Sequence, residues 1–235
     1  MTGVRRIRIC DLSGRGRGRR TCSMIVKGRP GFAMVSSDSP QVRYCPGFLD
    51  LNEASSLFET LNKTIQWHQP RLFIYGRWVD SPRLAAWYGD PGKTYRYSGL
   101  VNEPLPWTAE LSAVRKNLER YCGTVFNSVL LNLYRDGEDS MGWHSDDEPE
   151  LGVDPVIASL SLGGSRRFLF KHRRHKPTST HAFTLEHGSL LVMREGVQRD
   201  WRHSVPKTRR PVSPRINLTF RQVIGNGSPD PARSG

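Results

Sequence analysis

His144 and Asp146 stand two residues apart near the end of the run 129–150, VLLNLYRDGEDSMGWHSDDEPE, and a third candidate, His203, stands far downstream in WRHSVP. In extended chain, residues two apart face the same side, so this imidazole and this carboxylate reach one ion without a bend in the backbone. A lone His-x-Asp is common by chance and is usually an ordinary surface pair; the second imidazole changes the odds. Two His and one carboxylate, leaving positions open on the ion, form the facial triad of non-haem Fe(II) oxygenases.

Residues 215–221 read RINLTFR, and alternation puts Arg215, Asn217, Thr219 and Arg221 on one face of a strand, with Ile216, Leu218 and Phe220 on the other. The ordinary interpretation is apolar side in, polar side in water. The alternative is that the polar face lines the inside of a barrel, where two guanidiniums require anions because a buried unpaired charge is costly. A small dicarboxylate satisfies them, since Arg forms bidentate pairs with carboxylates. Asn132 and Tyr134 repeat the alternation with Leu131 and Leu133 on the strand that leads to His144. Together these faces describe a polar pocket beside a metal.

The series N-x-Y, H-x-D, H and R-x-N-x-T-x-R, in this order, resembles the AlkB family of Fe(II)/2-oxoglutarate-dependent nucleic-acid demethylases. The wording FNSVLLNLYRDGEDSMGWHSDDEPELG and PRINLTFR is similar above all to the branch of the second and third human AlkB homologues, and the resemblance runs from about Val42 to Val223. It implies Fe(II) on His144, Asp146 and His203, with 2-oxoglutarate and O2 as cosubstrates. It implies 2-oxoglutarate contacts at Asn132, Leu133, Tyr134, Arg215, Asn217, Thr219 and Arg221, one arginine on the distal carboxylate and the other nearer the chelating end. The activity implied is oxidative demethylation of 1-methyladenine and 3-methylcytosine, yielding succinate, carbon dioxide and formaldehyde. The substrate implied is methylated single-stranded DNA, with duplex DNA and RNA left open.

Aromatic and basic residues concentrate upstream. Aromatic faces stack on bases while Arg and Lys neutralise phosphates, so the stretch 67–99 suits a nucleotide-recognition lid. Trp87 and Tyr88 are better read as core. Trp67, Tyr95 and Tyr97, with Arg96 between the tyrosines, match substrate-contacting positions of the family. Both lesions are cationic near neutral pH, so a carboxylate at the pocket would favour them; Asp147 is the first candidate and Glu148 the second, with turn capping or an Arg partner as the competing role. The cluster 171–176, KHRRHK, is read equally as a phosphate grip or a solvated hairpin tip.

The elements that must position these groups are many short strands and few helices, the pattern of a sandwich or barrel. The fold expected is mainly β with flanking helices (α+β); the topology, a double-stranded β-helix or jelly roll with an N-terminal lid, is what the resemblance implies. Asp50 or Asn52 caps a helix to about Thr64, a second helix spans 106–121 and ends at Gly123, and Gly163-Gly164 is expected to turn a hairpin. The domain expected is 41–225. Residues 1–40, with nine Lys/Arg against two acids, and the tail 226–235 are expected to be disordered. The net charge of +13 therefore leaves about +6 on the folded part, which favours a polyanionic partner. No run is apolar and long enough to span a membrane. The four cysteines lack paired or zinc spacing, so a reducing intracellular compartment is expected, cytoplasmic in a bacterium and nuclear and cytoplasmic in a eukaryote. A monomer is expected. Two other classes stay open: a related hydroxylase of proteins or small molecules, and a nucleic-acid-binding protein without catalysis.

Overall fold

Asp50 starts the first helix as its sequence predicts. Its carboxylate accepts from the backbone N–H groups of Asn52 and Glu53 at 2.9 Å, and the Glu53 carboxylate accepts from the Asp50 N–H in return. This capping box satisfies donors that the first turn would otherwise leave orphaned. The helix, α1 (Leu51–Thr64), buries Ala54 and Leu61. The second, α2 (Ala109–Cys122), begins at Thr108 and ends at Gly123, whose φ of 68° lies where glycine alone is unstrained. The computed structural model describes residues 39–74, 76–93, 95–97, 100–174 and 180–224, with the backbone alone at 72, 74, 95–97 and 100–102. The arm and the tail expected to be disordered lie outside it, apart from residues 39 and 40.

Two antiparallel sheets face each other in a jelly roll. The larger runs β1 (Val42–Cys45), β12 (Ser189–Met193), β9 (Ile157–Gly163), β14 (Arg215–Arg221), β7 (Ser128–Tyr134) and β4 (Leu84–Gly89). The smaller runs β11 (His181–Leu185), β10 (Arg166–His172), β13 (Trp201–Val205) and β8 (Met141–His144). Strands β2 (Arg71–Ile74) and β3 (Arg77–Asp80) form one hairpin and β5 (Tyr95–Tyr97) and β6 (Leu100–Asn102) another. A short helix, α3 (Val197–Asp200), precedes β13.

The alternation in β14 decides the layering. Ile216, Leu218 and Phe220 join Leu131, Leu133, Leu160 and Leu162 in a core that also takes Leu61, Leu111 and Leu118 from the two long helices. The other face of the same strands turns toward the smaller sheet, where Tyr134, Ile157, Phe168, Phe170 and Trp201 form a second cluster. Each Leu or Phe so buried contributes roughly 1.5–3 kcal/mol, so the helix-side core fixes the register that aims the polar face inward.

Two expectations are corrected. Gly163 and Gly164 do not turn a hairpin: β9 pairs with β12 and β14, while β10 pairs with β11 and β13. The chain crosses there from one sheet to the other, and it passes so near residues 213–214 that a Cβ at either glycine would meet a carbonyl oxygen at 2.1–2.3 Å. The stretch 67–99 is also not one lid, because β4 inside it pairs with β7 as an edge of the larger sheet, burying Trp87 and Tyr88.

Candidate metal centre and its anion pocket

His144 ends β8 and His203 lies directly opposite on β13, their ring centroids 4.2 Å apart. Asp146 falls just beyond the strand and is placed by two contacts. Its backbone N–H donates to Gln198 Oε1 at 3.0 Å, and its Oδ1 accepts from Arg221 Nη2 at 2.8 Å. That leaves Oδ2, which lies 3.9 Å from His203 Nε2. The ligand atoms of all three residues lie within 4.8 Å of one another, spacing that suits a shared ion.

Electrostatics keep Asp146 and His203 in ligating form. Burial alone would raise the Asp146 carboxyl, but Arg221, followed by the two imidazoles, outweighs it and lowers it to about 2. Burial pushes His203 down to about 3, aided by His144 and opposed by Asp146, so its imidazole is neutral at pH 7. His144 Nδ1 lies 2.9 Å from the Gly142 carbonyl; a donated N–H there leaves Nε2 as the ligand, the usual orientation of a metal-binding His. Phe168 stacks on the His203 ring at 5.2 Å and helps hold its plane.

The pocket between the sheets is lined by His144, Asp146 and His203 and, from the larger sheet, by Asn132, Tyr134, Asn217, Thr219 and Arg221. Thr219 donates to Asn217 Oδ1, and Asn217 donates to Ser159 Oγ. Arg83, buried on the other side, donates to Asn132 Oδ1 at 2.7 Å. Arg215 sits behind the lining, 1% exposed, its guanidinium 5.2 Å from the Tyr134 ring centroid. Arg215 Nη2 donates to Ser161 Oγ, while Nε and Nη1 are buried without an acceptor. Burial lowers this guanidinium to about 10. A buried cation with two spare donors and no carboxylate among its described partners fits an anionic ligand.

The sites named from sequence divide accordingly. Leu133 does not face the pocket; one residue from Asn132 and Tyr134 on a strand, its side chain goes into the helix-side core. Trp67 is partly buried against that same core rather than on the pocket lining. Asp147 is half-exposed and ion-paired with Arg173 at 2.7 Å, the competing role named for it. Tyr95, Arg96 and Tyr97 form β5, and their side chains lie outside the described residues. Within 171–176, residues 175 and 176 are likewise outside them. Arg83, Ser159, Ser161, Arg166 and Gln198 were missed. For the serines the signal was present, since SLSL in β9 alternates as RINLTFR does.

Two His and one carboxylate gathered at one end of a pocket, with an unmatched guanidinium behind its lining, is the donor set of a non-haem iron oxygenase that uses an anionic cosubstrate. The family model of the 2OG-Fe(II) oxygenase superfamily matches residues 41–221. Alpha-ketoglutarate-dependent dioxygenase alkB homolog 3 of Bos taurus is 44% identical over 208 residues, covering 85% of this chain and 70% of that protein. DNA oxidative demethylase ALKBH2 of Homo sapiens is 40% identical over 181 residues, covering 73% and 69%. The solved structure of OsALKBH1 shares the fold, with a TM-score of 0.56 at 21% identity over 78% of this chain and 99% of that one. The chain belongs to the AlkB family of the 2OG-Fe(II) oxygenase superfamily, and it spans about two thirds of the length of these curated relatives. Fe(II), 2-oxoglutarate and O2 are the implied cofactor and cosubstrates. The donor set at 144, 146 and 203 and the spare donors of Arg215 fit them.

Proposed function

We propose that this chain removes methyl groups from 1-methyladenine and 3-methylcytosine in nucleic acid, acting as a monomer in an intracellular compartment and preferring single-stranded DNA. The observation that supports this best is a His/Asp/His cluster on the lining of an inter-sheet pocket, with a buried arginine lacking an anion behind that lining, against Tyr134. Relatives named as DNA oxidative demethylases support the substrate class. Fe(II) would be held by His144, Asp146 and His203, and 2-oxoglutarate by Arg215 at its distal carboxylate, with Arg221 at the metal end. Bound there, they would let O2 serve as the oxidant that hydroxylates the N-methyl group, 2-oxoglutarate leaving as succinate and carbon dioxide and the methyl carbon as formaldehyde.

The chain's own residues position and shield. Arg221 holds Asp146 in one rotamer, Gln198 fixes its backbone, and Phe168 fixes the plane of His203. The walls from Met141, Phe168, Met193 and Val205 are apolar and exclude water from the reacting centre. Asp147 stands beside this site with its carboxylate on Arg173, so a cationic base entering there competes for an anion that already has a partner. A methyl group on the Watson–Crick edge blocks pairing, which lowers the cost of extruding the base, and a single strand avoids most of that cost.

The test is demethylation of oligonucleotides carrying one 1-methyladenine or 3-methylcytosine, single-stranded and duplex, with and without Fe(II) and 2-oxoglutarate. Repair requiring both additions, faster on the single strand, is expected. His144→Ala should lose repair while still binding the oligonucleotide. Succinate formation without repair would move the chain to other hydroxylase substrates, and equal repair by the His144 variant would remove the metal assignment.

A further inference from the structure

The four strands of the smaller sheet, MGWH, RRFLFKH, HAFTL and WRHSV, contain no Asp or Glu. Their inner face carries Phe168, Phe170, His203 and Val205, which are buried. Alternation therefore sends Arg167 and Lys171 of β10 and Arg202 of β13 to the outer face, and Arg167 and Arg202 are exposed. Lys171 and Arg202 are direct cross-strand partners, an arrangement of like charges that destabilises a sheet. Neither they nor Arg167 form an ion pair with any described residue. On the edge strand β8, Trp143 is 38% exposed, and the Lys171 ammonium lies 4.3 Å from its ring centroid, which places the indole on this same face. Trp143 is also the neighbour of His144, so it lies one residue from the metal cluster, on the opposite side of a single strand.

We infer that the outer face of the smaller sheet is a second contact surface for single-stranded nucleic acid, holding the strand that flanks the base in the pocket. The inference deepens the function proposed above and rests on it. A cationic row kept free of acids, despite mutual repulsion, is stabilised when a polyanion lies along it, and an exposed indole at its edge offers a stacking surface for a base. The position of Trp143 supplies continuity: a strand with one base beside His144 passes over the β8 edge directly onto the indole. From there it runs along Lys171, Arg202 and Arg167. A single strand fits this path, since its flexible backbone bends around the edge of a sheet where a duplex does not.

The test uses the full chain and a fluorescein-labelled 20-mer of unmodified thymidine, read by anisotropy from 50 to 200 mM NaCl. The double charge reversal Arg167→Glu/Arg202→Glu should weaken binding at least tenfold at the low salt and reduce the log–log salt slope by about 1.4, at roughly 0.7 per phosphate contact on a single strand. The conservative pair Arg167→Lys/Arg202→Lys should bind as the parent does, and Trp143→Ala should weaken binding with the salt slope unchanged. The KM for a methylated 20-mer should rise with the charge reversal, while turnover of a methylated trinucleotide, which ends at the indole and is too short to run along the cationic row, stays the same. Equal affinity and slope for parent and charge-reversed chains would overturn the inference. So would poly-glutamate binding with the same losses, which would assign the face to an acidic protein. Weakened 20-mer binding in a chain that repairs no methylated trinucleotide would uphold the surface and reject the demethylase reading alone.

Discussion

Arg215 and Arg221 are identical side chains six residues apart on one face of one strand, and their surroundings give them different partners. Arg221 has its carboxylate within the chain, 2.8 Å away on Asp146, and so belongs to the metal end. Arg215 has a hydroxyl and an aromatic face and nothing anionic among its described partners. Arg215→Met should therefore cost the ligand-free protein little, since it removes a buried charge that lacks a counter-ion. The loss should emerge with 2-oxoglutarate: charge-assisted hydrogen bonds worth about 1.5–3 kcal/mol convert to a roughly ten- to hundredfold rise in its KM. Thermal unfolding with and without 2-oxoglutarate checks this, the ligand-induced rise in midpoint being expected for the parent and absent from the variant. The alternation of RINLTFR made the two arginines legible in the sequence, but the difference in their partners was not, because it depends on Asp146, 75 residues from Arg221 in the chain. Arg83 was illegible for the same reason: nothing local in PRLAAW marks an arginine as the partner of Asn132.

Among the elements, the loop between β7 and β8 is held by several polar contacts at once. The Arg135 backbone and guanidinium both donate to Asp139, and buried Arg166 donates to the carbonyls of Asp136, Asp139 and Pro206. Arg166 also lies 5.5 Å from the Tyr134 ring centroid, so the loop and the pocket wall share one anchor. Burial would raise the Asp139 carboxyl, yet the hydrogen bonds from Arg135 hold it below the usual range. A depressed carboxylate stabilises the fold fully above its unfolded pKa of about 4, and that stabilisation is lost as pH falls through the folded value. Asp139→Asn should thus lower stability by about 1 kcal/mol at pH 7, given the half-exposed Arg135, and the deficit should shrink as pH falls below about 4. Urea titrations of both chains from pH 7 to pH 3 measure it; a deficit that stays constant with pH would refute the linkage. Sequence named the two long helices, since caps such as Asp50 and Gly123 are local signals, but not the short α3. It misread Gly163-Gly164, because a turn within a sheet and a crossing between sheets use the same residue type, and only the partners of β9 and β10 tell them apart.

At the scale of the molecule, the jelly roll separates its tasks by layer: helices and one face of the larger sheet form the apolar core, the gap between the sheets holds the chemistry, and the outside of the smaller sheet is left basic. Alternation along single strands was enough to read the first two layers, and the third went unread because its cations are adjacent only across strands. The order of the strands has one more consequence. β14 follows every other described strand in the chain, yet it lies inside the larger sheet, bonded to β9 on one side and β7 on the other. During synthesis the sheet thus waits as two incomplete halves, each with an open edge of unpaired backbone, until residues 215–221 leave the ribosome. A chain stopped at residue 214 should be rapidly digested by a protease that spares one stopped at 224, and the interval before β14 emerges is when this protein has most need of a chaperone.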